Sequence, residues 1–115
     1  MSPRQNRRAI RQLRRNVPVF AALGDDTRLS LLTKLGGVPR LSIAGLTRGS
    51  RLTRQAITKH LRVLQKAGLV RGVRRGRERL FELESQPVAD ARRALDHISR
   101  KWDEALARLK VIVEE

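Results

Sequence analysis

The chain has 115 residues and a formal charge of +15, from 26 Lys and Arg against 11 Asp and Glu. That length suits one domain with a modest core and excludes a large enzyme scaffold, and the absence of cysteine excludes disulfides, thiolate metal sites and cysteine nucleophiles. Aromatic residues make up only 3%, all of it Phe20, Phe81 and Trp102, which disfavours the base-stacking platforms of single-strand RNA readers.

Residues 1–16 carry six arginines, at positions 4, 7, 8, 11, 14 and 15, with Ile10 and Leu13 between them. They read as a frayed or helical basic arm, set apart as residues 1–17. The opening Met1-Ser-Pro-Arg-Gln-Asn-Arg-Arg8 lacks a secretory apolar core, and no apolar run approaches the ~20 residues of a membrane span. A cytoplasmic protein with no membrane partner is therefore expected. Pro18 ends any helix coming from the arm and can open the next. Val19 to Leu23 is a short apolar helix stopped by Gly24. Asp25 or Asp26 caps a third helix whose Leu29, Leu31, Leu32 and Leu35 are expected to face a core, closed by Gly36-Gly37 and Pro39.

Ser42 caps a shorter helix with Ile43 and Leu46 inward, and Arg48-Gly49-Ser50-Arg51 forms a tight turn. Thr53 is the expected N-cap of a helix running to about Ala67. On its wheel Ile57, Leu61 and Leu64 make one stripe, with Gln55, Thr58, Lys59, Arg62 and Lys66 on the opposite side. Gly68 terminates it. Two strand-like runs follow, Leu69–Arg74 and Arg77–Leu83, with Arg75-Gly76 as the turn, because Gly76 can take the positive φ that a two-residue hairpin requires. Pro87 then opens a long helix lasting almost to the end.

The charge is uneven along this order. Residues 85–115 hold six Lys/Arg and six acids, so they sum to zero, whereas residues 27–77 hold thirteen Lys/Arg and no acid. A neutral tail beside a cationic body suggests self-association for the one and a polyanion partner for the other. Arg-rich codon usage could bias the surface, with Arg outnumbering Lys 21 to 5, but it does not explain why acids avoid one continuous stretch.

Short helix, turn, second helix and hairpin make a winged helix-turn-helix pattern, so the fold expected is mostly α with a small β-hairpin and a long C-terminal dimerisation helix. A recognition helix needs an apolar stripe to hold it and small polar and cationic side chains outside to reach base edges and phosphates. Residues 53–67 supply both, and the hairpin adds Arg71, Arg74, Arg75, Arg77 and Arg79 as a wing for the DNA backbone or minor groove. The winged domain is taken as residues 18–84. Double-stranded DNA is the expected partner, with Lys59, Arg62, Lys66, Arg74, Arg75 and Arg77 supplying phosphate contacts and Arg54, Gln55 and Thr58 base selectivity.

Three blocks resemble the ArsR family of bacterial repressors: Leu23-Gly-Asp-Asp-Thr-Arg-Leu29, Leu52-Thr-Arg-Gln-Ala-Ile-Thr-Lys-His-Leu-Arg-Val-Leu-Gln-Lys-Ala-Gly-Leu-Val70 and Arg74-Arg-Gly-Arg-Glu-Arg-Leu-Phe-Glu-Leu83. The resemblance covers roughly residues 18–115. It implies a homodimeric winged-helix repressor released from DNA by an inducer whose identity the sequence does not give. Arg28 matches the Arg that opens the family's second helix, and Thr53, Arg54, Gln55, Thr58, Lys59 and Arg62 fall on the DNA-reading positions. His60, also usual in the family, flanks the apolar stripe, so packing with one ring nitrogen bonded, or a phosphate contact, is favoured over base reading. Some members bind metal through Cys-x-Cys or through Asp and His of the last helix. Here Asp96 and His97 diverge by about 100° on a helix and Asp90 lies two turns from His97, so no metal or other cofactor is expected.

In the last helix Val88, Ala91, Leu95, Ile98, Trp102, Ala105, Leu109 and Ile112 alternate spacings of three and four. That is a seam over more than three heptads, roughly 36 Å long, more than a small winged domain can cover. Residues 85–115 are therefore expected to form a homodimer, with Trp102 as anchor and Ile10, Leu13, Val17 and Phe20 extending the surface. A second reading, a sequence-indifferent nucleoid or architectural DNA-binding protein, draws on the arginine arm and wing. An enzyme is not expected: no Ser sits in a nucleophile elbow and no Gly-rich phosphate loop precedes a helix.

Overall fold

A computed structural model describes residues 2–114; the outer ends of the expected arm and C-terminal helix, Met1 and Glu115, lie outside the described residues. Helix α1 (Pro3–Arg15) begins with a capping box, in which the Ser2 hydroxyl accepts from the Gln5 N–H and the Gln5 side chain accepts from the Ser2 N–H. The basic arm is thus a helix. Asn16 alone separates it from α2 (Val17–Leu23), where Pro18 sits in the first turn and costs no hydrogen bond. Helix α3 (Asp26–Gly36) is capped by Asp25, whose carboxylate accepts from the Arg28 N–H. Leu31 and Leu35 are buried and Leu32 packs at the margin, but Leu29 is 46% exposed. Two residues from Leu31, Leu29 points to the other side of the helix, which corrects its expected core position.

Strand β1 (Leu41–Ser42) leads into α4 (Ile43–Thr47), whose N-cap is Ser42 and whose Leu46 is fully buried. Helix α5 (Arg54–Lys66) places Ile57, Leu61 and Leu64 in the core. It ends in a Schellman motif: the Leu69 N–H reaches the Leu64 carbonyl and the Gly68 N–H the Gln65 carbonyl. Gly68 makes this possible with φ +78°.

Strands β2 (Val70–Arg75) and β3 (Glu78–Leu83) pair antiparallel from Val70↔Leu83 to Arg75↔Glu78. The hairpin turn is therefore Gly76-Arg77, one residue later than the sequence suggests. Gly76 (φ +60°) takes the first turn position, and no non-glycine residue among those described has positive φ; that matches a type II′ turn, which needs positive φ only there. The sheet also has a third strand that the sequence did not announce. β1 pairs with β3 through Leu41↔Phe81 and Ser42↔Leu80, giving the order β1-β3-β2.

The core gathers residues from α2, α3, α4, α5, the sheet and α6. Helix α6 (Ser85–Glu114) starts two residues before Pro87, which fits because the first-turn N–H groups of a helix have no intrahelical partner to lose. Ala91 is 3% exposed and Ala94 is also buried. Ala91 thus packs on its own chain, which removes it from the expected interface seam. Beyond Ala94 the helix lies beside α1 as far as Arg100, with His97 half-buried, and its remaining turns lengthen the molecule to 66 × 30 × 21 Å. Val88, Leu95, Ile98, Trp102, Leu109 and Ile112 are exposed, Trp102 at 66%, while Ala105 is half-buried. Of the further residues expected to extend this face, Ile10 and Val17 are exposed and Leu13 and Phe20 half-buried. No described helix is long and apolar enough to cross a membrane.

Candidate nucleic-acid interface

Helix α5 turns its core stripe inward, and the opposite face is open to solvent. Thr53, Arg54, Gln55, Lys59, Arg62 and Lys66 are exposed and Thr58 is half-buried. Arg54, Gln55, Thr58, Lys59 and Arg62 line a single shallow hollow of about 400 Å³ with Ile43 from α4 at its side. Five of the residues singled out from the sequence are therefore brought together. Lys66 lies one turn on, beside a second hollow shared with Arg62, Val63 and Gln65.

Two hydroxyls in this group are already engaged. Thr53 Oγ1 caps the helix by accepting from the Ala56 N–H at 3.1 Å. Thr58 Oγ1 donates to the Arg54 carbonyl at 2.7 Å. A hydroxyl has one hydrogen to give, so Thr58 can meet a base through its methyl group or as an acceptor, whereas Thr53 keeps its donor. With Thr53 satisfying the Ala56 N–H, the Arg54 and Gln55 amides remain at the helix N-terminus, where an anion is favoured.

The wing arginines divide into two sets. Arg71 pairs with Glu82 and with Glu84, and Arg40 reaches Glu82 from the other side at 3.1 Å. The Arg71 guanidinium, followed by that of Arg40, holds the Glu82 carboxyl below its ordinary pKa. Arg79 lies over the Phe81 ring, 5.5 Å from its centre. Arg71 and Arg79 thus brace the sheet. Arg74, Arg75 and Arg77 are exposed around the turn and make no ion pair among the described residues.

Helix and wing are held together closely. A Cβ on Gly72 would stand 3.2 Å from Gln65 Nε2 and 3.4 Å from Arg79 Nε. The Gln65 and Arg79 side chains thus lie over the open backbone of β2 at Gly72.

His60 is half-buried and faces α3. Its Nδ1 is 3.4 Å from an Arg28 terminal nitrogen and 3.8 Å from Asp25 Oδ2. Arg28 also donates from Nε to the Ala22 carbonyl at 2.6 Å and from its other terminal nitrogen to the Ala21 carbonyl at 3.3 Å. It therefore closes the end of α2 and touches the recognition helix at once. The Arg28 backbone N–H, then the Arg28 guanidinium, keep the Asp25 carboxyl below its ordinary pKa. His60 thus has a packing and bridging environment.

Four of the thirteen cations in residues 27–77 have partners within the chain: Arg28 as above, Lys34 on the Leu46 and Arg48 carbonyls, and Arg40 and Arg71 on Glu82. The remaining nine, from Arg48 to Arg77, make no ion pair among the described residues. They include Arg48 and Arg51, exposed in the turn before α5 and not singled out from the sequence. Their place inside the acid-free stretch was the signal available. No group of three His, Asp or Glu among the described residues is placed to hold a metal ion.

No protein-family model matches the chain. It is 40% identical over 76 residues to an uncharacterised HTH-type transcriptional regulator, YuzN, of Bacillus subtilis, covering 61% of this chain and 83% of that protein. It is 32% identical over 95 residues to the HTH-type transcriptional regulator Rv2034 of Mycobacterium tuberculosis, covering 83% and 85%. Among solved structures, an ArsR-like transcriptional regulator from Rhodococcus sp. RHA1 superposes with a TM-score of 0.73 at 40% identity, over 85% of this chain and 92% of that one.

Proposed function

Because the chain belongs to the ArsR family of winged helix-turn-helix, DNA-binding transcriptional regulators, we propose that it acts as a homodimeric repressor of sequence-specific duplex sites, released by an inducer. Residues 18–84 form the DNA-binding unit, residues 1–17 a basic arm, and residues 85–115 the dimerisation helix. Gln55, Arg54 and Thr58 read base edges. Thr53, Lys59, Arg62 and Lys66 on the helix, with Arg74, Arg75 and Arg77 on the wing, hold phosphates.

The observation that carries this reading is the outer half of α6. Leu95, Ile98, Trp102, Leu109 and Ile112 stand exposed along a helix that outruns its own domain. A second copy laid along that ridge would bury it and set two recognition helices about 34 Å apart, one turn of duplex.

The test begins with selection of bound duplexes from a random pool. A chain that sediments as a dimer and prefers the selected site about 10³-fold or more over random duplex supports the reading. A monomer at micromolar concentration with no preference over heparin overturns it. The architectural alternative rests on the six arginines of α1; it gains only if excess random duplex competes as well as the selected site.

A further inference from the structure

A cavity of about 270 Å³ lies where four helices meet: the α1–α2 joint, the end of α5 and the start of α6. Its floor is apolar, from Val19, Ala67 and Pro87, and its rim carries Arg15 and Arg93. Asn16 lines it too, and is only 8% exposed.

Asn16 is the informative residue. Its backbone is fully used: the N–H reaches the Gln12 and Leu13 carbonyls, and the carbonyl accepts from the Phe20 N–H. Its side-chain Nδ2 donates to the Gln12 carbonyl at 2.8 Å. Among the described residues Oδ1 has no such partner, and neither does the second amide hydrogen. Oδ1 is not sealed from solvent, so these unused groups stand open where Asn16 lines the cavity.

We infer that this cavity is an effector site for a small hydroxylated organic carboxylate, an inference that rests on the repressor reading and names the class of its inducer. The carboxylate meets the guanidiniums of Arg15 and Arg93, whose forked donors match it. The hydroxyl both donates to Asn16 Oδ1 and accepts from Nδ2. The carbon body covers Val19, Ala67 and Pro87. Asp90 also faces the site, but its carboxylate is paired with Arg93 and accepts from Gln86, so the two arginines leave the rim net positive. The volume falls just below the usual range of drug-sized pockets, which suits a metabolite.

The location supplies the regulation. Ala67 is the C-cap of the recognition helix, and Pro87 lies in the first turn of α6, against Gly68. A molecule wedged between them acts on the joint that sets α5 relative to α6. It shifts the balance of two arrangements only insofar as it binds one better than the other.

The test is calorimetry on the full chain without DNA, comparing 3-hydroxybenzoate with benzoate, L-malate with succinate, and inorganic phosphate. At least one hydroxy acid is expected to saturate at one per chain, about tenfold tighter than its hydroxyl-free counterpart and than phosphate. Arg15→Gln is expected to weaken it about tenfold and Asn16→Ala to erase the advantage of the hydroxyl. Arg15 is exposed, so the first variant stays informative if the second does not fold. The inference is overturned if neither hydroxy acid saturates in the millimolar range, if phosphate binds as well, or if Arg15→Gln binds like the parent chain. Binding of the selected duplex without any acid tests the repressor reading separately, so either can fail alone.

Discussion

Arg28 and His60, thirty-two positions apart, meet at 3.4 Å between a guanidinium nitrogen and Nδ1. The same guanidinium closes the carbonyl end of α2, so one side chain spans α2, α3 and α5. Arg28→Ala would leave the Ala22 carbonyl without its donor and is expected to cost about 1–3 kcal/mol, read as a lower urea midpoint with unchanged slope. Lysine has no fork to reach both directions, so Arg28→Lys is expected to recover less than half of the loss.

The wing and the helix face should fail in different ways. Arg75→Ala and Arg77→Ala are expected to weaken binding to all duplexes alike and to flatten the salt dependence, which should have a slope near −7 if about eight phosphates are neutralised per dimer. Gln55→Ala is expected to relax the choice of base at one position per half-site, at about 1–3 kcal/mol. Filter-binding titrations against the selected and scrambled sites, at several salt concentrations, separate the two. Loss confined to the selected site in both variants would reverse the assignment.

Glu82 gives the wing a pH dependence of definite sign. Arg71 and Arg40 lower its carboxyl pKa in the folded chain below the unfolded value. The pairing is therefore whole above the ordinary glutamate range of about pH 4.3 and fades as the pH falls through the lower folded value. Thermal melts between pH 7 and pH 3 should show this loss, and Glu82→Gln should be less stable at pH 7 and less sensitive to acid. An acid response unchanged by Glu82→Gln would remove the clamp from the explanation.

Trp102 and Ala91 allow the proposed dimer to be tested apart from the domain. Trp102→Ala is expected to leave the fold intact and weaken self-association about 30-fold, the ~2 kcal/mol of a dominant interface residue. Ala91→Leu is expected to strain the core by about 1–3 kcal/mol without a direct effect on pairing. Sedimentation velocity reads the first and a denaturation curve the second.

Where one local rule acted alone, the residues were readable in advance. Ser42 and Thr53 cap their helices, Ile57, Leu61 and Leu64 recur at helical spacing, and Gly68 stops α5 as read from the sequence. What escaped depended on distant partners. Leu41 and Ser42 look like the approach to a helix; only β3, forty residues on, makes them a strand. Arg71 reads as one more free wing cation until Glu82 and Glu84 are folded beside it. Leu29 misled because leucine content was taken for a face, when angle decides. Ala91 fits the outer seam by spacing, but its small size lets α6 settle on the core. The hollow along α5 gathered five of the ten positions expected to touch DNA, whereas Arg48 and Arg51 entered only through their exposure in the turn.

The short strand before α4 does more than complete a sheet. Leu41 and Ser42 tie the start of the helix-turn-helix to β3, Arg40 is anchored on Glu82, and the Gln65 side chain of α5 lies over Gly72 of β2. These ties oppose any sliding of helix α5 against the hairpin. In the proposed complex such a tool measures length as well as letters: one base pair inserted between the stretch under the helix and the stretch under the hairpin tip is expected to be rejected although every contacted nucleotide is unchanged.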